Sequence, residues 1–487
     1  MTLCLFFTFN STLSSAFIEQ EEIENIIFIV IDTLRADHLQ SYGYLRTTSP
    51  FIDTLADKGI LFRNVFSQSA TTVPSHASLF TSLYPAQINV LKNGHVLDQH
   101  FITLAELLRS HGFETAAFVS TNTHFKAANL DQGFGYFNEP DTDTRIEPYR
   151  TADKTTTNAI KWIKNRNSQK NLFLWLHFYD THSPYTPPAI HRIFNTDERF
   201  LKFLKDTHKA DFRFFSKLGL QNRFICNIID SYDGEIRFVD TELHRFFDFF
   251  NNFQLKKKTL WIITSDHGEG LGNHRWIGHS KNIYNEQLHI PLIFFFSSVE
   301  HDNKEFDDIV ELTDIFPTIM DITRIDPSNI SSQEIQGTSL MPLLNNIAKK
   351  NPRTDAFSQR EIYDTLNTEN NSINELKIHF KLSKKPSEQM LHAIKKSFIN
   401  YEKGDAFSIQ NKKFKYVYKT GCKDEFYNIA NDPYETANLI NRFCIDKILL
   451  RYKLKKMIQV LNKNMLAEPR SVDPVTKEKL KSLGYAQ

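Results

Sequence analysis

The sequence predicts an α/β fold: a large, mainly parallel sheet sandwiched by helices, followed by a smaller C-terminal α+β subdomain. Three observations predict it. Short β-branched or aromatic runs recur at 26–31, 116–119, 172–178, 260–264 and 290–296. They are apolar throughout rather than alternating, the pattern of parallel strands buried on both faces. Segments of helical spacing lie between them, and strands alternating with helices argue for a mostly parallel sheet. After about residue 344 the composition shifts, and 348–402 is rich in Lys, Asn and Ser.

The helical segments have their own signals. Thr103-Leu-Ala-Glu106 is a capping-box pattern, and Gly112 stops the helix it opens. Residues 152–165 and 313–322 also read as helices. Across 225–250 the residues Ile229, Tyr232, Ile236, Val239, Leu243 and Phe247 form one apolar stripe. Near the end, 414–418 and 425–428 read as hairpin strands around Gly421, and 445–464 as a helix. The expected division is an N-terminal extension or signal remnant at 1–23, a catalytic domain at 24–344 and a smaller subdomain at 345–487.

Composition excludes several classes. At roughly 150 residues per domain, a chain of 487 residues holds about three domains, or one large domain with a smaller partner. With 41% hydrophobic and 24% charged residues it is not a disordered chain, and 42 Phe point to a large aromatic core. The 58 Lys+Arg against 57 Asp+Glu leave no basic excess for gripping nucleic acid. Cys4, Cys226, Cys422 and Cys444 are scattered without a CxxC pair. They read as free small hydrophobes, with a Cys422–Cys444 pair as the alternative in an exported chain. No run reaches the ~18 apolar residues of a membrane span. The apolar N-terminus is followed by Ser14-Ser15-Ala16, but no Lys or Arg precedes Arg35, so the basic start of a signal peptide is missing. Both export (periplasmic or extracellular) and a cytoplasmic location stay open, as does the oligomeric state.

Open α/β sheets bind ligands beyond the C-terminal ends of their strands. Asp32-Thr33 follows the first run, Ser120-Thr121-Asn122 the second, Asp180 and His182 the third, and Asp266-His267-Gly268-Glu269 the fourth. His177 lies within the third run, and His274 and His279 come later. Carboxylates and imidazoles therefore collect along one sheet edge. Asp32, Asp266 and His267 are ligand types for a divalent cation: carboxylates suit hard ions, and imidazole draws the preference towards Zn²⁺ or Mn²⁺. A helix cap at Asp32 and an Asx-type turn at Asp266 are the alternative readings.

A second constellation is Thr71-Thr72-Val-Pro74-Ser-His76. Pro74 suits the first turn of a helix running to about Leu83. A hydroxyl just ahead of that helix would face unpaired N–H groups and the positive dipole end, which favour a tetrahedral anion. Thr72 is thus a candidate nucleophile for metal activation, with a simple N-cap at Thr71 or Thr72 as the alternative.

Taken in order, these motifs resemble the sulfatase family of the alkaline phosphatase superfamily. The resemblance rests on Ile29-Val-Ile-Asp-Thr-Leu-Arg-Ala-Asp-His38, Thr72-Val-Pro-Ser-His76, the segment from His177 to Pro187, and Thr264-Ser-Asp-His-Gly-Glu269. Tyr232-Asp-Gly-Glu-Ile236, Glu311-Leu-Thr-Asp-Ile-Phe-Pro317, Gln336-Gly-Thr-Ser-Leu340, Glu425-Phe-Tyr-Asn-Ile-Ala-Asn-Asp-Pro433 and 480–485 follow in the family's order. It implies a metal-dependent hydrolase of small-molecule or glycan sulfate or phosphate esters, working through a covalent intermediate. Asp32, Asp266 and His267 would hold a divalent ion (Ca, Mn or Zn), with Thr72 as bridging nucleophile. His182 and His279 would hold the oxyanion or protonate the leaving group, while His177 and Asn122 would contact substrate. Two-metal relatives imply a second ion on Asp180, His182 and His279.

The departures place the chain in a threonine-bearing branch. Thr72 stands where the family carries the Cys or Ser that becomes formylglycine, and Thr cannot form that aldehyde. His76 replaces a supporting Arg, from where it could orient or deprotonate Thr72. Thr33 replaces an acidic ligand, and Ser120-Thr121-Asn122 replaces a Lys-bearing segment. The alternatives are a phosphoryl-headgroup transferase and a catalytically silent binding homologue.

Overall fold

The computed structural model describes residues 22–477, apart from 122–124, 141–148, 167–168, 218–221, 254–256, 299–303, 331, 346, 362–403, 465–468 and 475. Asn122, most of 348–402, and 480–485 therefore lie outside the described residues. The strands are β1 (Asn25–Ile31), β2 (Ile60–Phe66), β3 (Glu114–Val119), β4 (Tyr136–Asn138), β5 (Leu172–Phe178), β6 (Thr259–Thr264), β7 (Gly270–Leu271), β8 (Ile277–Gly278), β9 (His289–Phe296), β10 (Lys304–Glu311), β11 (Ala356–Arg360), β12 (Ala406–Gln410), β13 (Lys415–Lys419) and β14 (Glu425–Tyr427). The helices are α1 (Pro50–Lys58), α2 (Thr72–Thr81), α3 (Leu104–Ser110), α4 (Ala152–Asn165), α5 (Glu198–Asp206), α6 (Phe212–Lys217), α7 (Asn222–Phe253), α8 (Asn285–Leu288), α9 (Ile315–Ile322), α10 (Met341–Leu344) and α11 (Ile445–Asn464).

Eight strands form one sheet in the order β10-β2-β9-β6-β1-β5-β3-β4. Because β1 is buried along its whole length, its two faces feed two cores. Ile26, Phe28 and Val30 pack with α2, α3 and α9. Ile27, Ile29 and Ile31 pack with α1, α4 and α7. Burying each large side chain contributes about 1.5–3 kcal/mol, and aromatic rings such as Trp175 against Phe80 (4.8 Å) fill the first core. The expected capping box at Thr103 and Glu106 is present at the start of α3.

Two features differ from expectation. The 290–296 run forms β9, which lies antiparallel to both β2 and β6. Burial on both faces erases alternation whichever way a strand runs, so its direction is not written in its composition. The outer strands β2 and β10 carry no continuous apolar run. Arg63 and Asn64 interrupt β2, and β10 is charged along its first half, as edge strands commonly are. Arg63 and Glu305 pair across them at 2.6 Å.

The second sheet, β11-β12-β13-β14, is antiparallel throughout. Leu450, Leu454 and Leu461 of α11 pack on it, against Phe357 and Tyr416. Cys226, Cys422 and Cys444 form no disulfide. Among the described residues no helix is long and apolar enough to cross a membrane.

A buried ionic cluster joins this sheet to the large one. Lys415 pairs with Glu435 at 2.8 Å, and Glu435 accepts the Asn285 N–H at 2.6 Å. His274 stacks on Tyr284, places Nδ1 2.8 Å from Glu286 and places Nε2 3.1 Å from the Glu435 carbonyl. Both neighbours are acceptors, so both ring nitrogens donate and the imidazole is charged. Burial opposes that charge, but Glu286 and Glu435 together outweigh it, and the pKa is pushed up to about 9. A histidine raised from 6.5 to about 9 stabilises the fold fully below pH 6.5, and that contribution is lost as pH climbs through about 9. The Tm of the wild type should therefore fall more steeply over that window than the Tm of His274→Gln. Parallel Tm-against-pH curves from differential scanning fluorimetry would contradict the assignment.

Candidate active site

The three central strands β6, β1 and β5 are neighbours, with Val30 opposite both Thr264 and His177. Residues that follow them in the chain therefore meet in space. Asp32, Asp266 and His267 are fully buried, and their ligand atoms lie within 4.8 Å of one another.

Each is aimed by its surroundings. Asp266 Oδ1 accepts the N–H groups of Thr33 (3.1 Å) and His267 (2.8 Å). That leaves Asp266 Oδ2, like both oxygens of Asp32, without a hydrogen-bond partner among the described residues. His267 Nδ1 donates to the Gly268 carbonyl at 2.9 Å, which aims Nε2 at Asp266 Oδ2, 3.4 Å away. Ser265 Oγ accepts from Leu34 N–H and donates to the His267 carbonyl, tying the two loops together. Gly268 is required here, because a Cβ would stand 2.2 Å from the Glu286 carbonyl oxygen. Thr33 has φ 56°, a region that costs a β-branched residue about 1–3 kcal/mol. The Tyr232 hydroxyl holds that turn by donating to Thr33 O and accepting from Arg35 N–H.

The electrostatics fit a cation. Burial pushes the Asp32 carboxyl up to about 7, against the pull of His267. Burial and then Asp32 raise Asp266. Burial disfavours the charged form of His267, but the two carboxylates outweigh it and hold the imidazole above its ordinary value. Three carboxylate oxygens with no donor, in a site without exposure, are costly unless an ion meets them. Two carboxylates and one imidazole suit a divalent ion.

Thr72 is the first residue of α2, with Thr71 as the N-cap, so it lies inside the helix rather than ahead of it. Its Oγ1 stands 3.4 Å from His267 Nε2. The α2 start is less open than expected, because Asn93 Oδ1 accepts the Val73 N–H at 2.9 Å.

Other expected residues are placed differently. His76 does not reach the Thr72 hydroxyl: its Nδ1 donates to the Thr72 carbonyl at 2.8 Å, one turn back along the helix. Burial lowers His76 to about 3, which makes it a poor base. His177 faces inward, with Nε2 3.4 Å from Asp32 Oδ2, and neither ring nitrogen has a hydrogen bond among the described residues. Burial lowers it, too, to about 3. It therefore borders the Asp32 carboxylate. The second trio does not gather. Asp180 Oδ1 accepts the Ala152 N–H at 2.9 Å at the start of α4, His182 Nδ1 donates to the Ser183 carbonyl, and His279 Nδ1 pairs with Glu269 at 3.2 Å. The two Asp/His groups that do gather among the described residues are Asp32–Asp266–His267 and Asp37–His38–His208.

His279 nonetheless borders the site, 4.6 Å ring to ring from His267 and 4.8 Å from His182. Its partner Glu269 also accepts the Tyr185 hydroxyl at 2.9 Å. Glu269 and Tyr185 carried no role in the sequence reading. The Asp-His-Gly-Glu spacing was the available signal for Glu269, and nothing local marked Tyr185.

Known proteins share this fold. The chain matches the Sulfatase family model over residues 24–325 and the model for the C-terminal part of N-sulphoglucosamine sulphohydrolase over 272–385. It is 26% identical over 365 residues to arylsulfatase K of Rattus norvegicus, covering 66% of this chain and 63% of that protein. The chain thus spans just under two thirds of that relative's length. It is 24% identical over 498 residues to the multifunctional alkaline phosphatase superfamily protein PehA of Trinickia caryophylli, covering 85% of this chain and 91% of that one. The solved phosphonate monoester hydrolase of Agrobacterium radiobacter shares the fold with TM-score 0.66 at 21% identity, covering 91% of this chain and 96% of that one. A family match running from β1 through α9, over the Asp32, Thr72, Asp266 and His267 cluster, means that the chain belongs to the sulfatase family.

Proposed function

We propose that the chain is a metal-dependent hydrolase of sulfate or phosphate esters with Thr72 as its nucleophile. The observation that carries this reading is the Thr72 hydroxyl beside His267 Nε2 at 3.4 Å, at a cluster of carboxylate oxygens that lack donors. Asp32, Asp266 and His267 would hold a divalent ion (Mn, Zn or Ca), whose positive charge would favour ionisation of the hydroxyl and offset charge on the ester oxygens.

The chain's own groups do the rest. Thr72 Oγ1 attacks sulfur or phosphorus in line; the bond to the leaving oxygen breaks, and the alcohol departs with a proton. His279, steadied through Nδ1 by Glu269, is the group to hold that proton. His182 lines the same side as the oxyanion contact. Water then cleaves the threonine ester and releases sulfate or phosphate. The names of the relatives span sulfate and phosphonate esters, so both classes belong in the assay, with small aryl esters before glycan esters.

Turnover of nitrophenyl phosphate, phosphodiester, phosphonate and sulfate esters should fall by about 10³-fold or more in Thr72→Ala and in Asp266→Asn, on the scale of losing a nucleophile or its activating charge. Thr72→Ser should keep part of the rate. Wild-type turnover in Thr72→Ala would remove the assignment, and metal binding without turnover would mark a silent homologue.

Treatment with a chelator should abolish that turnover, and Mn²⁺, Zn²⁺ or Ca²⁺ should restore it in the wild type but not in Asp32→Asn. Full activity in chelator, with metal content confirmed at zero, would exclude a metal-dependent reaction.

A further inference from the structure

We propose that Asp37, His38 and His208 form a second divalent-metal site that takes a zinc-class ion and braces the active-site loop. His38 lies on the 3-10 turn after β1 (Ala36–His38) and His208 follows α5; both are fully buried. Their Nε2 atoms stand 3.0 Å apart, and His208 Nε2 lies 3.5 Å from Asp37 Oδ2. Ligands about 2.0–2.1 Å from a tetrahedral zinc ion sit about 3.3 Å from one another, and these two separations bracket that edge.

The tautomer points the same way. His38 Nδ1 is 2.8 Å from Asp233 Oδ1, and Asp233 is itself held by the Tyr44 hydroxyl at 2.9 Å and Arg46 at 2.7 Å. Asp233 is thus an acceptor, the proton sits on His38 Nδ1, and Nε2 turns its lone pair towards His208. A carboxylate behind a histidine is the outer-shell arrangement that orients metal-ligating imidazoles. A plain His208-to-His38 hydrogen bond is the rival. That bond gives Asp37 no part, since 3.5 Å to an imidazole is too long, and either reading leaves His208 Nδ1 without a hydrogen bond among the described residues. Arg35 contacts both Asp37 oxygens, at 2.8 and 2.7 Å, and the Tyr434 hydroxyl donates to the same carboxylate, which leaves one of its four lone pairs for an ion.

The connections give the ion a purpose. Arg35 also donates to the Glu269 carbonyl at 3.0 Å and to Asn273 Oδ1 at 2.9 Å, and Asn273 Nδ2 donates to the His208 carbonyl. Fixing Asp37 and His208 therefore fixes the loop that carries Glu269, the partner of His279.

Zinc alone is the probe. Wild-type crystals grown with ZnCl₂ should show an anomalous peak at the zinc edge bounded by His38 Nε2, His208 Nε2 and Asp37 Oδ2. After dialysis against Zn²⁺, His208→Gln should hold one zinc fewer than the wild type, with circular dichroism confirming the fold. Asp233→Asn should bind that zinc about 10–100-fold more weakly, and Asp266→Asn should retain it. An absent peak overturns the proposal, as does unchanged zinc content in folded His208→Gln. A peak with no His208-dependent zinc in solution marks an adventitious ion and overturns it equally. Because the Asp266 variant reports on the other site, failure here is distinguishable from failure of the hydrolase reading.

Discussion

Asp32 and Asp266 follow neighbouring strands, wholly out of water, and burial raises the proton affinity of both. Three of their four oxygens have no donor among the described residues. Two such carboxylates carry a desolvation penalty that ordinary packing does not relieve. Hydrophobic residues there would be better for stability, so the surrounding structure is shaped to tolerate a charge that only a cation satisfies. The strained Thr33, the close approach at Gly268 and the inward His177 all surround this pair.

The scaffold around it is stiff because its supports come from distant segments. Tyr232 on α7 pins the turn after Asp32, Ser265 ties that turn to the His267 loop, and Ser75 on α2 donates to the Asp266 carbonyl at 2.6 Å. Thr72 is thereby held against His267 by a helix whose ten residues are all buried. The second sheet adds a clamp from outside: Lys415 and Glu435 lock onto α8, whose Gln287 carbonyl accepts the Gly268 N–H at 2.9 Å. Tyr434, from the same segment, packs 5.7 Å from the His208 ring.

Much of this was legible in residue order. Strands β1, β5 and β6 carry runs too apolar and too short for anything but buried strands, and polar residues at their ends could be read as a site because strand ends in such sheets converge. The 3.6-residue stripe of α7 and the Thr103 capping box are equally local. The residues that the structure places differently share a cause. Asp180 and Asp32 look alike in sequence, each directly beyond a buried strand, yet one caps α4 and the other is left bare; the difference is which backbone N–H comes near. His76 has the spacing to reach the Thr72 side chain, but on a helix its ring lies nearer the carbonyl one turn back. The charged edge strand β10 and its neighbour β2, interrupted by Arg63 and Asn64, have patterns that a loop can also show.

What the sequence alone determined is therefore the kind of fold and the family, with Asp32, Thr72, Asp266 and His267 as the candidates it offered, since each depends on local pattern or on motifs kept in order. What only the tertiary structure decided is the partnership of each polar atom. It set the direction of β9, the role of Glu269 behind His279, the diversion of Asp180 to a helix end, and the meeting of Asp37, His38 and His208. Hydrogen bonds and ligand clusters are made at separations of about 3 Å between groups such as Thr33 and Asp266, 233 residues apart along the chain, and nothing in the spacing of residues along a chain encodes such distances.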